Sequence, residues 1–269
     1  MGMHVAASGL NLRERAPDGA VVAVLPCGHP VTVAGEAGVG WVDLECADPA
    51  EPARTLTGTV AAGFLRPAIV SAREALVAAA LAEWRRFDYG AGHEAQPPYR
   101  DHVGRMWAAV GFPTFDGATR EYPWSAAAIS WIVRQAAKQA PALDDFDYAI
   151  GHWRYIKDAI AKREAGQAAP FWARRLDEAA ARIGDIVVRA RAGASGHHAV
   201  DAVDAYDAAR DAKGSFPSHC DLITGLSGGQ AHAIGGNVNN SVSLTSFPLE
   251  PDGRLKAAGG VFMMLQCRL

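Results

Sequence analysis

The sequence predicts an α+β protein with a small β-barrel at its N-terminus, and three regions of the chain lead to this prediction. Residues 8–67 contain short runs of β-type residues separated by turn signals. Residues 69–161 are rich in alanine and carry apolar side chains at three- and four-residue spacing, which is typical of helices. Residues 183–269 return to β-type runs. A group of helices followed by a group of strands indicates an α+β domain, so we predict two domains, at residues 1–67 and 68–269.

The N-terminal domain is predicted to be a barrel of short strands joined by turns. Turn signals occur at Pro17-Asp-Gly19, at Cys27-Gly28 and at residues 35–38. Several short strands at this spacing are typical of a small barrel. Trp41 is either a core aromatic residue or a residue that stacks on a ligand, and we prefer the core. The predicted strands are residues 10–13, 20–25, 30–33, 40–44 and 57–65.

The second domain is predicted to place helices before an antiparallel sheet of about five strands. Val261-Phe-Met-Met-Leu265 is continuously apolar, as expected of a strand that is covered on both faces. The helix that begins near Ser125 is expected to pack on this sheet. Besides that helix, the predicted helices are residues 69–88, 99–110, 148–161 and 171–181, and the predicted strands are residues 183–190, 242–247, 260–269 and two segments beginning at residues 218 and 233.

Residues 193–214 form an insertion between the first two strands of this sheet. Its aspartates recur every three or four positions and would line one face of a helix. Calcium loops need a glycine-broken turn and a terminal glutamate, both missing here, so we predict a solvated helix face that forms a lid or rim over a cleft. His197 and His198 are likewise predicted to be solvated. The aspartates are Asp201, Asp204, Asp207 and Asp211.

The start of the helix at Ser125 is the first candidate for chemistry. Pro123 suits a first helical turn because it has no N–H to satisfy. Ser125 then lies among the unpaired amides and at the positive end of the helix dipole, where a developing anion is stabilised. The structural alternative is a serine N-cap, which only satisfies backbone amides.

Two later strands supply candidate partners for Ser125. Side chains alternate along a strand, so His219 and Asp221 point to one face. Asn237 follows Gly235 and Gly236 on the next strand. We prefer Asn237 over Asp221 as the group that orients His219, because residues two apart on a strand are separated by about 7 Å.

The order of these motifs resembles the papain-like cell-wall amidases and peptidases of the CHAP and NlpC type. The matching stretches are Pro-Trp-Ser-Ala-Ala at 123–127, Gly-Asp at 184–185, Ser-His-Cys-Asp at 218–221 and Gly-Gly-Asn at 235–237, within residues 99–269. The family carries a nucleophilic cysteine where this chain has serine. An uncharacterised bacterial branch carries Pro-Trp-Ser-Ala-Ala here, which favours a native serine, and an engineered replacement of cysteine is the alternative.

The resemblance implies roles for individual residues. Ser125 is implied as the nucleophile, His219 as its general base and Asn237 as the orienting residue. The Ser125 amide and Tyr122 would form the oxyanion hole. Tyr122, Trp124, His152 and Asp221 are the implied substrate-side residues, although a histidine beside a helical stripe, as His152 is, more often packs or caps.

The resemblance also implies a function and partners. Residues 1–67 look like a bacterial Src-homology-3-like domain, whose relatives bind cell-wall peptides or pack on a catalytic unit. The expected activity is cleavage of an amide bond in peptidoglycan or its stem peptides. Two alternatives stay open, namely a non-catalytic module that binds the cell wall or a partner, and a serine esterase or acyltransferase. A cognate inhibitor protein is a further expected partner.

Composition and motifs narrow the remaining classes of function. A net charge of −3 and a pI near 6.3 give no basic face for nucleic acid. We expect no membrane span, no nucleotide cofactor and no metal, because long apolar runs, phosphate loops and paired C-x-x-C motifs are missing from the sequence. Cys27 and Cys46 are expected to be either paired or free. No signal peptide precedes the first domain, so an enzyme of the periplasm or cell wall would be exported by another route or have lost its signal by trimming.

Overall fold

The protein is an α+β molecule with two antiparallel sheets and five α-helices in the part of the chain that the structure describes. The computed structural model describes residues 2–7, 9–66, 71–191 and 202–269. The predicted α+β class is therefore confirmed. The helices are α1 (Ala72–Arg86), α2 (Tyr99–Ala109), α3 (Ser125–Ala137), α4 (His152–Glu164) and α5 (Ala202–Asp211).

Residues 2–66 form a seven-stranded sheet with the strand order β3-β2-β6-β5-β4-β1-β7. The strands β3 and β7 are its edges, and the described residues do not close it into a barrel. The first strand lies in a segment for which the sequence predicted no structure. The strands are β1 (Gly2–Val5), β2 (Gly9–Arg13), β3 (Val21–Pro26), β4 (Pro30–Glu36), β5 (Trp41–Ala47), β6 (Thr55–Ala61) and β7 (Leu65–Arg66).

The second sheet has six strands, one more than the sequence predicted, in the order β12-β11-β10-β9-β13-β8. Its extra strand is β8, which lies in the segment 171–181 that was predicted to be a helix. That prediction was wrong because the buried and half-buried side chains of β8 alternate and its backbone pairs with β13. The strands are β8 (Phe171–Arg174), β9 (Ile186–Ala190), β10 (Ser218–Ser227), β11 (Gln230–Val238), β12 (Ser241–Pro248) and β13 (Val261–Cys267).

Apolar side chains cover both faces of the second sheet. The larger cluster joins α1, α2, α3 and α4 to one face, and a smaller cluster around Val187 and Ile223 covers the other. Cys27 of the N-terminal region belongs to the larger cluster, and Gly28 lies against α1. The two parts of the chain therefore share a packed interface.

All four cysteines are free and buried. Cys27 and Cys46 are therefore free thiols, which decides between the two alternatives that the sequence allows. Burial raises the pKa of the Cys27 thiol to about 12 and that of the Cys46 thiol to about 11. Both thiols are consequently protonated and unreactive at neutral pH.

The helix of the insertion packs on the body of the protein. α5 contacts α4 and β13, and it buries Ala205, Tyr206 and Ala209. Asp207 forms ion pairs with Arg175 and Arg210 and keeps 40% of its side chain exposed, so this aspartate is both paired and partly solvated. Asp201, His197 and His198 lie outside the described residues.

The Gly-Asp motif at residues 184–185 has a structural role. Asp185 is fully buried and accepts hydrogen bonds from Arg73 at 2.7 Å and from the Cys267 amide at 2.9 Å. These contacts join the start of α1 to the end of β13. Asp185 therefore fixes the helical layer on the sheet.

Two neighbouring glycines of β11 are each required by a close neighbour, Gly236 by α3 and Gly235 by β10. A Cβ atom on Gly236 would lie 2.3 Å from Cβ of Ala128 and 2.8 Å from the Trp124 ring. On Gly235 it would lie 1.9 Å from the Asp221 carboxylate. Glycine is required at Gly236 because no side chain fits between β11 and the first turn of α3, and at Gly235 because a side chain would collide with Asp221 of β10.

We expect the Gly236→Ala substitution to lower the free energy of unfolding by about 1–3 kcal/mol, because the added methyl group overpacks the contact with α3. Urea unfolding monitored by circular dichroism measures this change. The control is Gly35→Ala on β4, where nothing lies within 4 Å of the added atom. Equal effects of the two substitutions would show that the contact between α3 and β11 is not tightly packed.

Candidate active site

Ser125 is the first residue of α3. The residue before it, Trp124, occupies the N-cap position with φ −84° and ψ 5°, and no side chain caps the helix. The first helical hydrogen bond runs from the Ala128 amide to the Trp124 carbonyl, so the three preceding amides donate to no described group. Ser125 is therefore not the N-cap that the structural alternative required.

The Ser125 hydroxyl is hydrogen-bonded to His152. Its Oγ atom lies 2.7 Å from Nε2 of His152, which is the first residue of α4. Nδ1 of the same imidazole contacts the Tyr155 hydroxyl, one turn further along α4. When Nδ1 carries the ring proton, it donates to Tyr155 and leaves Nε2 free to accept the proton of Ser125. This tautomer is the one that a serine nucleophile needs.

The surroundings of His152 favour its neutral form. Burial lowers the pKa of His152 well below its ordinary value, and the nearby His219, Arg191 and Arg189 lower it further. The N-terminal position on α4 acts in the same direction because the helix dipole disfavours a cation there. Burial also keeps the Tyr155 hydroxyl protonated by raising its pKa well above its ordinary value. His152 is therefore uncharged at neutral pH and able to accept a hydrogen bond.

His219 lies beside His152, with 5.4 Å between the ring centroids. Nε2 of His219 is 3.2 Å from Oδ1 of Asp221, and the other carboxylate oxygen accepts a hydrogen bond from Arg189 at 3.1 Å. The direct contact between His219 and Asp221 was expected to be awkward. It forms because the imidazole leans along the strand, so the distance between side-chain tips is much shorter than the backbone spacing.

Asn237 forms no hydrogen bond with His219 among the described residues. It is half-buried, and its φ of 57° lies in the left-handed region, at an irregularity in the pairing of β11 with β12. Such an irregularity changes the direction of a side chain relative to a regular strand. The described hydrogen bonds likewise do not join Ser125 to His219. The contacts formed are therefore Ser125 with His152 and His219 with Asp221.

The two aromatic residues before Ser125 have different surroundings. Tyr122 is 51% exposed and stacks on Phe115 with 6.0 Å between the ring centroids. Trp124 is buried, stacks on Phe87 and donates its indole N–H to Glu94. Tyr122 is thus accessible to a ligand, whereas Trp124 supports the start of α3 from within the core.

The site is closed to solvent in this structure. Ser125 is only 1% exposed, and His152, His219 and Asp221 are also buried. Three cavities of about 340 to 430 Å³ lie elsewhere on the molecule and are lined by other residues. A substrate therefore reaches the Ser125 hydroxyl only if a neighbouring segment moves.

Within the described ranges, no group of three or more histidine, cysteine, aspartate or glutamate side chains is arranged to hold a metal ion. Over the same ranges, no helix combines the length and the apolar character that are needed to cross a bilayer.

Sequence reasoning did not identify the contact between Ser125 and His152 as the central one. The available signal was Gly151, which precedes His152 and permits a helix to begin there, placing the imidazole at a helix terminus. The predicted helix begins at residue 148, which makes His152 its fifth residue rather than its first. Tyr155 and Arg189 were also missed, since neither lies in a recognised motif.

The fold and these contacts define an α+β protein with a serine–histidine pair at the start of a buried helix. The chain belongs to the DUF2272 family, described as an uncharacterized protein conserved in bacteria, whose family model matches residues 84–265. This range contains the whole candidate site and leaves out the N-terminal sheet. No curated protein matches the chain.

Proposed function

We propose that this protein is a serine hydrolase that cleaves an amide bond in peptidoglycan through an acyl-serine intermediate. The observation that carries the proposal is the 2.7 Å contact between the Ser125 hydroxyl and His152 at the positive end of α3. A nucleophile, a base within hydrogen-bond distance and free backbone amides are the three components that acyl transfer requires.

The proposed reaction begins with attack of Ser125 Oγ on the carbonyl carbon of the substrate. The serine proton passes to Nε2 of His152 as the new C–O bond forms, and the amides of Ser125 and Ala126 stabilise the oxyanion. The C–N bond then breaks, and the imidazolium returns its proton to the leaving amine. Water hydrolyses the acyl-serine by the same steps, again with His152 taking and returning the proton.

The choice of peptidoglycan as the substrate rests on the resemblance of the ordered motifs to papain-like enzymes of the CHAP and NlpC type. Under this proposal the second domain is papain-like, and the N-terminal sheet is an open form of a bacterial Src-homology-3-like domain that holds wall peptides. The protein would act in the periplasm or cell wall, where a cognate inhibitor protein would protect the producing cell. His219 and Asp221 supply a second pair of polar groups beside His152, and Asp221 contacts His219 in the place that the resemblance gives to Asn237.

The test is release of stem peptides from purified sacculi. We expect wild-type protein to release soluble peptides and the Ser125→Ala variant to release none, because the nucleophile is missing. Mass spectrometry of protein treated with a reactive ester should locate the acyl group on Ser125. Release that is unchanged in Ser125→Ala would remove this proposal, and acylation by esters without release from sacculi would assign the site to the esterase alternative.

A second candidate function is a non-catalytic module that binds the cell wall. The near-complete burial of Ser125 favours this alternative, because a hydroxyl that solvent does not reach cannot attack a substrate unless the structure opens. Under this alternative, Ser125 and His152 are a buried polar pair that satisfies two side chains. Saturable binding to sacculi without peptide release, equal in wild type and Ser125→Ala, would support this alternative and contradict the hydrolase.

A further inference from the structure

Two arginines pack on the ring of Trp172 in β8, an outer strand of the second sheet. The guanidinium carbon of Arg268 lies 4.4 Å from the centre of the ring, and that of Arg174 lies 5.4 Å from it. The indole N–H donates to the Gln167 carbonyl at 3.0 Å, which holds the ring in place. Trp172 is therefore a fixed platform between two cationic side chains.

The two arginines also share one hydrogen-bond acceptor. Oε1 of Gln266, which lies opposite Trp172 on β13, accepts from Nε of Arg174 at 3.1 Å and from Nη1 of Arg268 at 3.4 Å. Because a single oxygen atom accepts from both side chains, the two guanidinium groups lie side by side. Neither arginine forms an ion pair with any residue in the described ranges, so two positive charges repel each other at this point.

Glu178, the acidic residue whose charge acts on Arg174, is engaged by another arginine. Burial, followed by the charge of Arg163, lowers the pKa of Arg174, and Arg268 acts in the same direction while Glu178 opposes the change. Both oxygens of Glu178 accept hydrogen bonds from Arg163 at 2.7 Å. The pair formed by Arg174 and Arg268 therefore keeps an excess of positive charge.

A cavity of about 350 Å³ adjoins this arginine pair and is lined by Trp172 and Arg268. Its volume lies within the usual range of small-molecule sites, roughly 300–1,000 Å³. The acidic residue in its lining, Asp145, pairs with Lys162 at 3.1 Å. The rest of the wall is small and apolar and consists of Ala142, Ala168, Ala169, Pro170 and Leu269.

We propose that Arg174 and Arg268 bind the phosphate group of a small phosphate monoester whose apolar part occupies this cavity. A phosphate monoester carries close to two negative charges and has three acceptor oxygens, so it compensates both arginines, whereas a carboxylate compensates only one. Guanidinium groups bind phosphate through paired hydrogen bonds. The apolar wall is removed from water by contact with the organic part of the ligand.

The proposed phosphate site is separate from the serine–histidine pair. Ser125 is the first residue of α3, whereas Ala142 and Asp145 lie in the short turn Pro141–Asp145 that follows the end of this helix. A helix of 13 residues is about 20 Å long. Binding of a phosphate monoester therefore does not depend on the proposed hydrolase activity.

The first test is isothermal titration calorimetry of wild-type protein at pH 8 with phenyl phosphate, inorganic phosphate and benzenesulfonate. Phenyl phosphate is a dianion at this pH, inorganic phosphate lacks the apolar part, and benzenesulfonate keeps the ring but carries one charge. We expect phenyl phosphate to bind about 10-fold or more tightly than either of the others. No binding of phenyl phosphate, or an affinity equal to that of benzenesulfonate or inorganic phosphate, would overturn the proposal.

The second test removes the arginines one at a time. Arg174→Gln and Arg268→Gln should each lower the affinity for phenyl phosphate by about 10- to 100-fold, as expected for the loss of a charged hydrogen bond. The matched control is Arg105→Gln, which removes an exposed arginine on α2 and should leave the affinity unchanged. Affinity that is unchanged in both Arg174→Gln and Arg268→Gln would overturn the proposal.

A cavity-filling variant tests the site with both arginines in place. Ala168 is exposed at the cavity wall, so Ala168→Trp fills the cavity without disturbing the core. We expect this substitution to lower the affinity for phenyl phosphate to that for inorganic phosphate, and the test holds even if an arginine variant fails to fold. Full affinity for phenyl phosphate in Ala168→Trp would overturn the proposal.

Discussion

Replacing His152 with alanine is expected to slow acylation of Ser125 by about 10²- to 10⁴-fold, the usual contribution of a general base. His152 is the side chain within hydrogen-bond distance of the Ser125 hydroxyl, and a serine at neutral pH attacks only as its proton is removed. The rate of acyl-serine formation with a 4-nitrophenyl ester, measured by stopped flow, gives this effect directly. A matched replacement, His232→Ala, removes a half-buried histidine whose ring is hydrogen-bonded to Ser227 and Ser246 and should leave the rate unchanged.

The pH dependence of the same reaction follows from the environment of His152. Burial, followed by the charges of His219, Arg191 and Arg189, lowers the pKa of His152. The neutral base therefore persists below pH 6.5, the ordinary value for imidazole. We therefore expect kcat/KM to fall only at a pH more acidic than 6.5, the ordinary pKa of imidazole. The imidazolium that forms during attack is stabilised by the neighbouring oxyanion, which the resting site lacks.

Two outcomes distinguish His152 from His219 as the base. If His219→Ala abolishes acylation while His152→Ala does not, the base is the one implied by the resemblance to papain-like enzymes. If His152→Ala abolishes it and His219→Ala alters mainly the pH profile, His219 and Asp221 act on His152 through electrostatics. A structural effect of either substitution would instead appear as a lower melting temperature.

The sequence predicted those elements whose pattern is local. Most strands of the first sheet follow short β-type runs between turns, and α3 begins at Ser125, near where its apolar spacing indicated. Pro123 precedes the Trp124 N-cap instead of lying in the first helical turn that the sequence predicted. β1 was missed because it has only four residues and pairs with β4 and β7, which lie far along the chain. β8 was assigned to a helix because its alternation is only four residues long. Elements that depend on a distant partner are thus the ones that pattern reasoning missed.

The sequence predicted the residues of the site better than their contacts. It identified Ser125, His152, His219 and Asp221, and all four lie in one buried region. Which histidine faces the serine depends on how α4 packs against α3 and β10, and no local pattern contains that information. Asn237 was preferred over Asp221 on the basis of backbone spacing along the strand. That spacing ignores the length of the His219 side chain, whose ring reaches the Asp221 carboxylate.

Acid is expected to destabilise the protein between about pH 6.5 and pH 4, well before most carboxylates titrate. Burial lowers the pKa of His29 to about 4, assisted by Arg85, although the Ala47 carbonyl and Asp48 oppose the change. Below pH 6.5, His29 binds a proton in the unfolded chain but stays neutral in the folded protein. The free energy of unfolding therefore falls as the pH falls. The slope is about 1.4 kcal/mol per pH unit for each such histidine, which amounts to about 3 kcal/mol for His29 over its window. His152 adds a slope of the same sign, because its folded-state pKa is also lowered.

Urea unfolding at pH 7, 6 and 5 measures this effect as a slope rather than as an absolute stability. We expect His29→Gln to reduce the slope between pH 6 and pH 5 by about 1 kcal/mol per pH unit, because glutamine does not titrate and can still donate to the Ala47 carbonyl. His152→Gln should reduce the slope independently, since the two histidines lie in different parts of the fold and their rings share no hydrogen-bond partner among the described residues. A wild-type free energy of unfolding that is constant between pH 7 and pH 5 would contradict the prediction, and it would mean that the native state admits protons, and hence solvent, to both imidazoles. For His152 that access would also supply the opening that the closed site needs to admit a substrate.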